Sequence, residues 1–96
     1  MPTNQLDPID PRELKDYMVD WTLVLSDESD TGISTSTWFD SVPTGLTVNS
    51  TTTLDYKAIA WVSGGKVGRT YGLTNEIETL GGRTHRRTIF VPCKRL

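Results

Sequence analysis

The sequence predicts an all-β domain, an antiparallel β-sandwich, and three observations support this fold class. Short runs rich in Thr, Ser, Val, Ile and aromatic residues alternate with turn signals roughly every 8–12 residues. The chain has 96 residues, of which 35% are hydrophobic and 23% charged, a composition that suits one domain with a modest core. The last third of the chain carries the alternation and the glycine turn of a β-hairpin.

The clearest single element is this C-terminal hairpin. Tyr71, Leu73 and Ile77 occupy odd positions, while the even positions beside them hold Thr, Gly and Glu. This period of two is typical of a strand with one buried and one solvated face. The Leu-Gly-Gly-Arg segment at 80–83 supplies the positive φ values that a tight reversal needs, and residues 87–91 form the returning strand.

The first sixteen residues differ from the rest, and we predict an arm over residues 1–16 and a sandwich over residues 17–96. Three prolines among the first eleven residues disfavour helix and sheet, so residues 1–9 should be extended. Asp10-Pro11-Arg12-Glu13 then carries a cap, a proline suited to the first helical position and a capping-box carboxylate. This pattern predicts one or two helical turns over residues 11–16.

Two interpretations of the arm stay open. It is either a frayed terminus without a role, or a segment that orders on contact with a neighbouring subunit. In the second interpretation the contact residues are Leu6, Ile9 and Leu14.

Four more strands are expected before the hairpin. They are Tyr17–Leu25, Ile33–Val42, Leu46–Ser50 and Tyr56–Val62. The acidic segment at 27–32 lacks the central glycine and terminal glutamate of a known calcium loop, so we predict a solvated turn. Pro43 ends the second strand because proline cannot donate to a sheet ladder.

The strand at 56–62 allows two orientations. One buries Tyr56, Ala58, Ala60 and Val62, and the other buries the intervening Ile and Trp residues. In the first orientation Trp61 lies on the outer face, where a large aromatic side chain is typical of a protein interface.

Cysteine content and hydropathy restrict the class of protein. The single cysteine, Cys93, excludes an internal disulfide and is best interpreted as a small apolar residue in the last strand. No run approaches the roughly 18 apolar residues of a membrane-spanning helix, and no basic-then-apolar leader precedes the arm. These features fit a protein that is made in a reducing cytosol.

Charge is distributed unevenly along the chain. Residues 1–56 hold ten acids against Arg12 and Lys15, a net of −8, whereas residues 57–96 hold eight bases against two glutamates, a net of +6. The opposite charges either intermix in the folded domain or form an acidic and a basic pole. Poles would favour packing between copies or docking onto a charged partner.

The sequence contains no catalytic or metal-binding motif. His85, the single histidine, is flanked by arginines, and no second histidine is present to complete a metal site with it. Five basic residues near the C-terminus are the feature with most functional content: Arg83, Arg86, Arg87, Lys94 and Arg95. Three interpretations of these residues stay open: a solvated face, a protein contact and a nucleic-acid contact. The nucleic-acid contact ranks third because no aromatic residues are interleaved with the basic ones. We expect no cofactor and no enzymatic activity.

An ordered set of short motifs covers residues 17–91. They are Tyr17-x-x-Asp20-Trp21-Thr22, Ser36-Thr37-Trp38, Val42-Pro43-x-Gly45-Leu46-Thr47, Trp61-Val62-Ser63-Gly64-Gly65, Gly68-x-x-Tyr71-x-Leu73-Thr74-Asn75-x-Ile77-x-Thr79 and Gly82-Arg83. In this order they resemble a family of small tailed-bacteriophage virion proteins described as fiber–tail adaptors. The acidic loop at 27–33 and the pair Arg86 and Arg87 depart from the family pattern.

The resemblance implies an immunoglobulin-like antiparallel β-sandwich. We expect it to have about seven strands and to follow the extended N-terminal arm that the prolines predict. It implies a non-enzymatic virion protein, assembled in the host cytoplasm in several symmetric copies, that joins the tail or neck to fibers. The expected partners are other phage structural proteins, with neither a membrane nor nucleic acid. The expected contact residues are Leu6, Ile9, Leu14, Trp61, Arg83, Arg86 and Arg87.

Two alternative functions stay open on the sequence. The alternative within the structural class is a capsid decoration (cement) protein. The alternative from another class is a cytosolic regulator that binds nucleic acid through the arginine-rich hairpin.

Overall fold

Two three-stranded antiparallel sheets pack against each other in the computed structural model, which describes residues 8–41 and 45–95. In chain order the elements are β1 (Leu14–Asp20), α1 (Thr22–Asp27), β2 (Ile33–Ser41), β3 (Leu46–Leu54), β4 (Lys57–Gly64), β5 (Thr70–Thr79) and β6 (Thr84–Pro92). The first sheet has the order β1-β4-β3 and the second the order β2-β5-β6.

This strand order is that of an immunoglobulin-like sandwich. With β1 as strand B, the two sheets correspond to B-E-D and C-F-G of that fold. Trp38 lies buried on β2, the equivalent of strand C, where the fold characteristically places a tryptophan. The predicted all-β immunoglobulin-like sandwich is confirmed, and the described part of the chain contributes six strands to its two sheets.

Alternation along the strands builds the core. Most inward positions of β1, β4, β5 and β6 hold apolar side chains, and the outward positions hold mostly polar ones. The inward set comprises Tyr17, Val19, Ala58, Ala60, Val62, Tyr71, Leu73, Ile77, Ile89 and Val91. Each large apolar side chain buried in this way contributes about 1.5–3 kcal/mol relative to an exposed one.

The structure selects one of the two orientations of β4. Ala58, Ala60 and Val62 are fully buried, so Trp61 lies on the outer face, where 40% of it is exposed. The C-terminal hairpin also has the predicted form, because β5 and β6 pair in continuous register from Thr70 opposite Pro92 onwards.

The predicted strand at 17–25 is wrong in its second half, where the chain forms α1. The carboxylate of Asp20 accepts hydrogen bonds from the Thr22 backbone N–H at 2.9 Å and from its hydroxyl at 2.5 Å, an Asx turn that ends β1. These bonds lower the pKa of Asp20. Leu25 is buried one helical turn after Trp21, while Leu23 is 79% exposed.

The helical turns predicted over residues 11–16 are also wrong. The expected reciprocal bonds do form: the Asp10 N–H donates to Glu13 Oε1 at 2.9 Å, and the Arg12 N–H donates to Asp10 Oδ1 at 2.9 Å. They close a single turn, after which β1 begins at Leu14 by pairing with β4. A helix this short is marginal on its own, so the strand pairing prevails.

Candidate partner-binding surfaces

One end of the sandwich, which we call the hairpin end, contains α1, residues 27–32 and the β5–β6 turn. There the Asp30 carboxylate accepts hydrogen bonds from the Gly81 N–H at 2.8 Å and from the Arg83 guanidinium at 3.0 Å. Its side chain is only 1% exposed, so the prediction of a solvated acidic turn is wrong at Asp30. A hydrogen bond from the Thr79 hydroxyl, followed by those from Gly81 and Arg83, lowers the pKa of Asp30.

A second carboxylate joins the same two segments. Glu28 Oε1 lies 2.6 Å from His85 Nε2, and Glu28 Oε2 lies 3.4 Å from Arg83 Nε. Acidic residues of the first half of the chain therefore meet basic residues of the second half, and the charges intermix at this end.

The remaining arginines of the hairpin point in opposite directions. Arg86 lies on the outer face of β6, bonds to Glu76 Oε1 at 2.5 and 3.0 Å, and covers the Phe39 ring at 5.2 Å. Arg87 lies on the opposite face of β6, where it covers the Trp21 ring at 4.9 Å and stays exposed. The three arginines predicted to bind a partner are thus held by acids or by an aromatic ring, although the side chains of Arg83 and Arg86 stay 48% and 61% exposed.

A buried polar cluster beneath Arg87 was not predicted. Trp21 Nε1 donates to Asn75 Oδ1 at 2.8 Å, and the Asn75 amide donates to Ser36 Oγ at 3.0 Å and to the Thr37 carbonyl at 3.2 Å. Asn75 is fully buried. Its odd position in β5, in line with three apolar residues, was the available signal that an amide faces the core.

The opposite end of the sandwich, the basic end, carries exposed cations from two segments. Its members are Lys66, Arg69, Lys94 and Arg95. Backbone hydrogen bonds link the segments: the Cys93 N–H donates to the Arg69 carbonyl at 2.7 Å, and the Gly68 N–H donates to the Cys93 carbonyl at 2.9 Å. No ion pair to these four cations occurs within the described residues.

The five C-terminal basic residues therefore do not form one cluster. Arg83 and Lys94 lie at opposite ends of β6, and nine residues of strand separate them by roughly 30 Å. Lys66 and Arg69, which are distant in sequence, share the basic end instead.

The outer face of the first sheet, which we call the Trp61 face, is partly apolar. The register places Met18 opposite Ile59 and Asp16 opposite Trp61. Leu14 and Met18 are 58% and 45% exposed on the same side of β1. Leu14 is thus accessible, as a partner-binding residue should be, but it belongs to the sheet and not to an arm.

The N-terminal contact residues have different positions. Leu6 lies outside the described residues. Ile9 is fully buried, bridges Cys93 in parallel, and accepts a backbone hydrogen bond from Lys94 at 2.8 Å. The prediction that Ile9 extends to a neighbour is wrong, because its side chain is part of this chain's own core.

Grooves at the basic end are shallow. One, of about 240 Å³, is lined by Asp10, Pro11, Arg12, Val67 and Arg95. Burial raises the pKa of the nearby Cys93 thiol.

Within residues 8–41 and 45–95 there is no group of three or more His, Cys, Asp or Glu side chains that could hold a metal ion. No helix in those ranges has the length and apolarity that crossing a membrane requires.

Comparison with known proteins places this architecture in a family. No curated protein and no solved structure matches the chain. The family model described as podophage GP4 fiber-tail adaptor protein gp77 matches residues 10–92, which include every strand of both sheets. The chain therefore belongs to the family of podophage fiber–tail adaptor proteins.

Proposed function

We propose that this chain is a non-enzymatic structural component of the virion that joins the tail or neck to fibers by contacting a different neighbour at each end. Membership of an adaptor family carries the proposal, since an adaptor interacts with other phage tail and fiber proteins. The domain is elongated, 42 Å along its longest axis, so its two ends can contact separate partners.

Charge gives the two ends different partner preferences. The basic end presents Lys66, Arg69, Lys94 and Arg95 as exposed cations, which favours an acidic surface. At the hairpin end Arg83 and Arg86 are already ion-paired but keep exposed guanidinium edges. We assign them a contact with a mixed, polar surface rather than with a strongly acidic one.

The proposal also assigns a contact to Leu6 and a contact to the Trp61 face. Residue 8, the first that the structure describes, lies at the basic end beside β1, where the Lys15 ammonium donates to the Pro8 carbonyl at 3.2 Å. In this proposal Leu6 contacts the neighbour at that end, and Leu14 and Trp61 contact it from the outer sheet face. Tryptophan is strongly enriched among residues that dominate interface energies.

Lysine-directed cross-linking in purified phage particles tests this assignment, because the chain carries reporters at both ends. Lys66 and Lys94 report on the basic end, and Lys57, at the start of β4, reports on the hairpin end. We expect the first pair to cross-link to one virion protein and Lys57 to another, with a fiber protein at one of the two ends.

Two outcomes contradict the proposal. Cross-links to the major capsid protein alone support the decoration alternative. Absence of the chain from purified particles, together with a salt-sensitive mobility shift of nucleic acid, supports the regulator alternative. Trp61→Ala tests the side surface by its level of incorporation into particles. Phe90→Ala, at an aromatic residue of similar exposure (39%) on β6 of the second sheet, is its matched control.

A further inference from the structure

Strand β3 is exposed to an unusual degree for a strand of a sandwich. All six residues from Asn49 to Leu54 are exposed, and successive residues of a strand point to opposite faces. Both faces of this half-strand are therefore open to solvent. Within the described residues it pairs with β4 alone, which leaves its other edge with unpaired backbone groups.

The edge is also unprotected. Proteins usually block a free edge with charged residues, proline or irregular pairing. The other three edge strands each carry charge: Lys15, Asp16 and Asp20 on β1, Asp40 on β2, and Arg86 and Arg87 on β6. All nine residues of β3, Leu46–Leu54, are uncharged and none is proline, and its single register shift lies at Asn49, between Val48 and Ser50, so residues 50–54 pair with β4 without interruption.

From these observations we infer that residues 50–54 of β3 form a strand-addition site whose occupant is β3 of a second copy of this chain, paired antiparallel across a two-fold axis. An uncharged strand can lie against itself without like-charge repulsion, whereas self-pairing through β1 or β6 would oppose acids or arginines. A two-fold axis makes such an interface self-complementary. The pair joins two three-stranded sheets into one of six strands.

Threonine chemistry supports this occupant. Three consecutive threonines, Thr51 to Thr53, lie in the exposed half-strand. Opposed threonines form side-chain hydrogen bonds across antiparallel strands. The chain already contains this contact, since the hydroxyls of Thr74 and Thr88 lie 2.8 Å apart between β5 and β6.

Sedimentation of the isolated protein tests the inference independently of the adaptor role. We expect a concentration-dependent dimer. Replacing Thr51 and Thr53 together by lysine should weaken dimerisation by about tenfold or more, because it opposes like charges across the new pair. Thr84→Lys, the same change at an exposed threonine on the opposite side of the sandwich, should leave it unchanged. A wild-type protein that stays monomeric at millimolar concentration overturns the inference, and so does a lysine variant that dimerises normally.

Cysteine scanning distinguishes this interface from any other dimer without relying on the lysine variant. Single cysteines at Ser50, Thr51, Thr52 and Thr53 should form intermolecular disulfides most readily at the one or two positions nearest the two-fold axis. Cysteine at Thr84 should form none, and Cys93 is too buried to compete. Equal cross-linking at all positions, or cross-linking at Thr84, contradicts pairing through β3.

Discussion

The two ends of the sandwich are closed by different physical means. At the basic end the Tyr71 ring lies between Gly45 and Gly65, and its hydroxyl accepts a hydrogen bond from the Lys66 N–H at 2.8 Å. At the hairpin end a buried carboxylate, Asp30, ties the segment after α1 to the β5–β6 turn. The first closure depends on the fit of uncharged groups and the second on charge, so acid and salt should weaken the second selectively.

The Tyr71 closure corresponds to the tyrosine corner of immunoglobulin-like domains, in which a tyrosine near the start of strand F bonds to the backbone a few residues upstream. Here it bonds five residues upstream, and it fixes the turn that carries Lys66. A structural device of the fold therefore positions part of the basic end, whereas the hairpin end depends on the ion pairs of Arg83 with Asp30 and Glu28.

Removing the aromatic ring of Tyr71 should cause the largest loss of stability. Tyr71→Ala is expected to lower the free energy of unfolding by about 3–5 kcal/mol, because it leaves a cavity between the two glycines. Urea denaturation measures the change. Tyr56→Ala, which removes a partly buried ring at the hairpin end, should cost clearly less. Equal losses would mean that the ring at the basic end has no special role.

The second-largest loss of stability should come from filling the space beside the Tyr71 ring. A β-carbon at Gly45 would overlap the Tyr71 ring, and Gly45 has a φ of 151°, so Gly45→Ala should cost about 1–3 kcal/mol. Gly68→Ala is the matched control, since Gly68 also has a positive φ, of 92°, but no atom within 4 Å of a new β-carbon. If the two variants lose equal stability in urea, backbone strain and not the fit around Tyr71 explains the loss.

Much of the fold was predictable because it depends on local patterns. The alternation of Tyr71, Leu73 and Ile77 and the glycines at 81 and 82 specify a hairpin from contacts between near neighbours. The end of β1 was not predictable in this way. Trp21 and Leu25 are four residues apart, a spacing that suits a helix face as well as alternate positions of a strand.

The sites were less predictable than the fold because they join distant segments. The carboxylate of Asp30 is buried only because Arg83, 53 residues away, and the Gly81 N–H converge on it. Lys94 follows the arginine-rich strand in sequence, yet the nine extended residues of β6 place it at the other end of the sandwich from Arg83. The sequence contains the charges, whereas the register decides which of them meet.

Acid should unfold the wild-type protein partly through Asp30. Its pKa is lowered in the folded state, so its stabilising contribution is complete above the ordinary carboxyl value of about 4 and is lost as pH falls below that value. Asp30→Asn removes this contribution. We expect thermal midpoints between about pH 5 and pH 2 to depend less on pH in the variant than in the wild type.

Asp27→Asn is the control for losing one negative charge from the same segment, since Asp27 is exposed. It should keep the wild-type profile, and Tyr71→Phe, a change at the uncharged closure, should shift the whole curve without changing its shape. An Asp30→Asn variant with the wild-type acid profile would show that this carboxylate is not what makes the hairpin end sensitive to acid.

The smallest effects should come from the partly exposed cations of the hairpin end. Arg86→Gln breaks a surface pair with Glu76, both members of which are solvated, and should cost under about 1 kcal/mol in urea denaturation. Arg83→Gln should cost more, because Arg83 is the cation bound to the buried Asp30 carboxylate and also approaches Glu28. Salt at about 0.5 M should reduce the Arg86 difference further but leave most of the Arg83 difference, since buried pairs are screened less. If both differences vanish equally in salt, the Asp30 contact behaves as a surface pair, and the proposed contrast between the two ends is wrong.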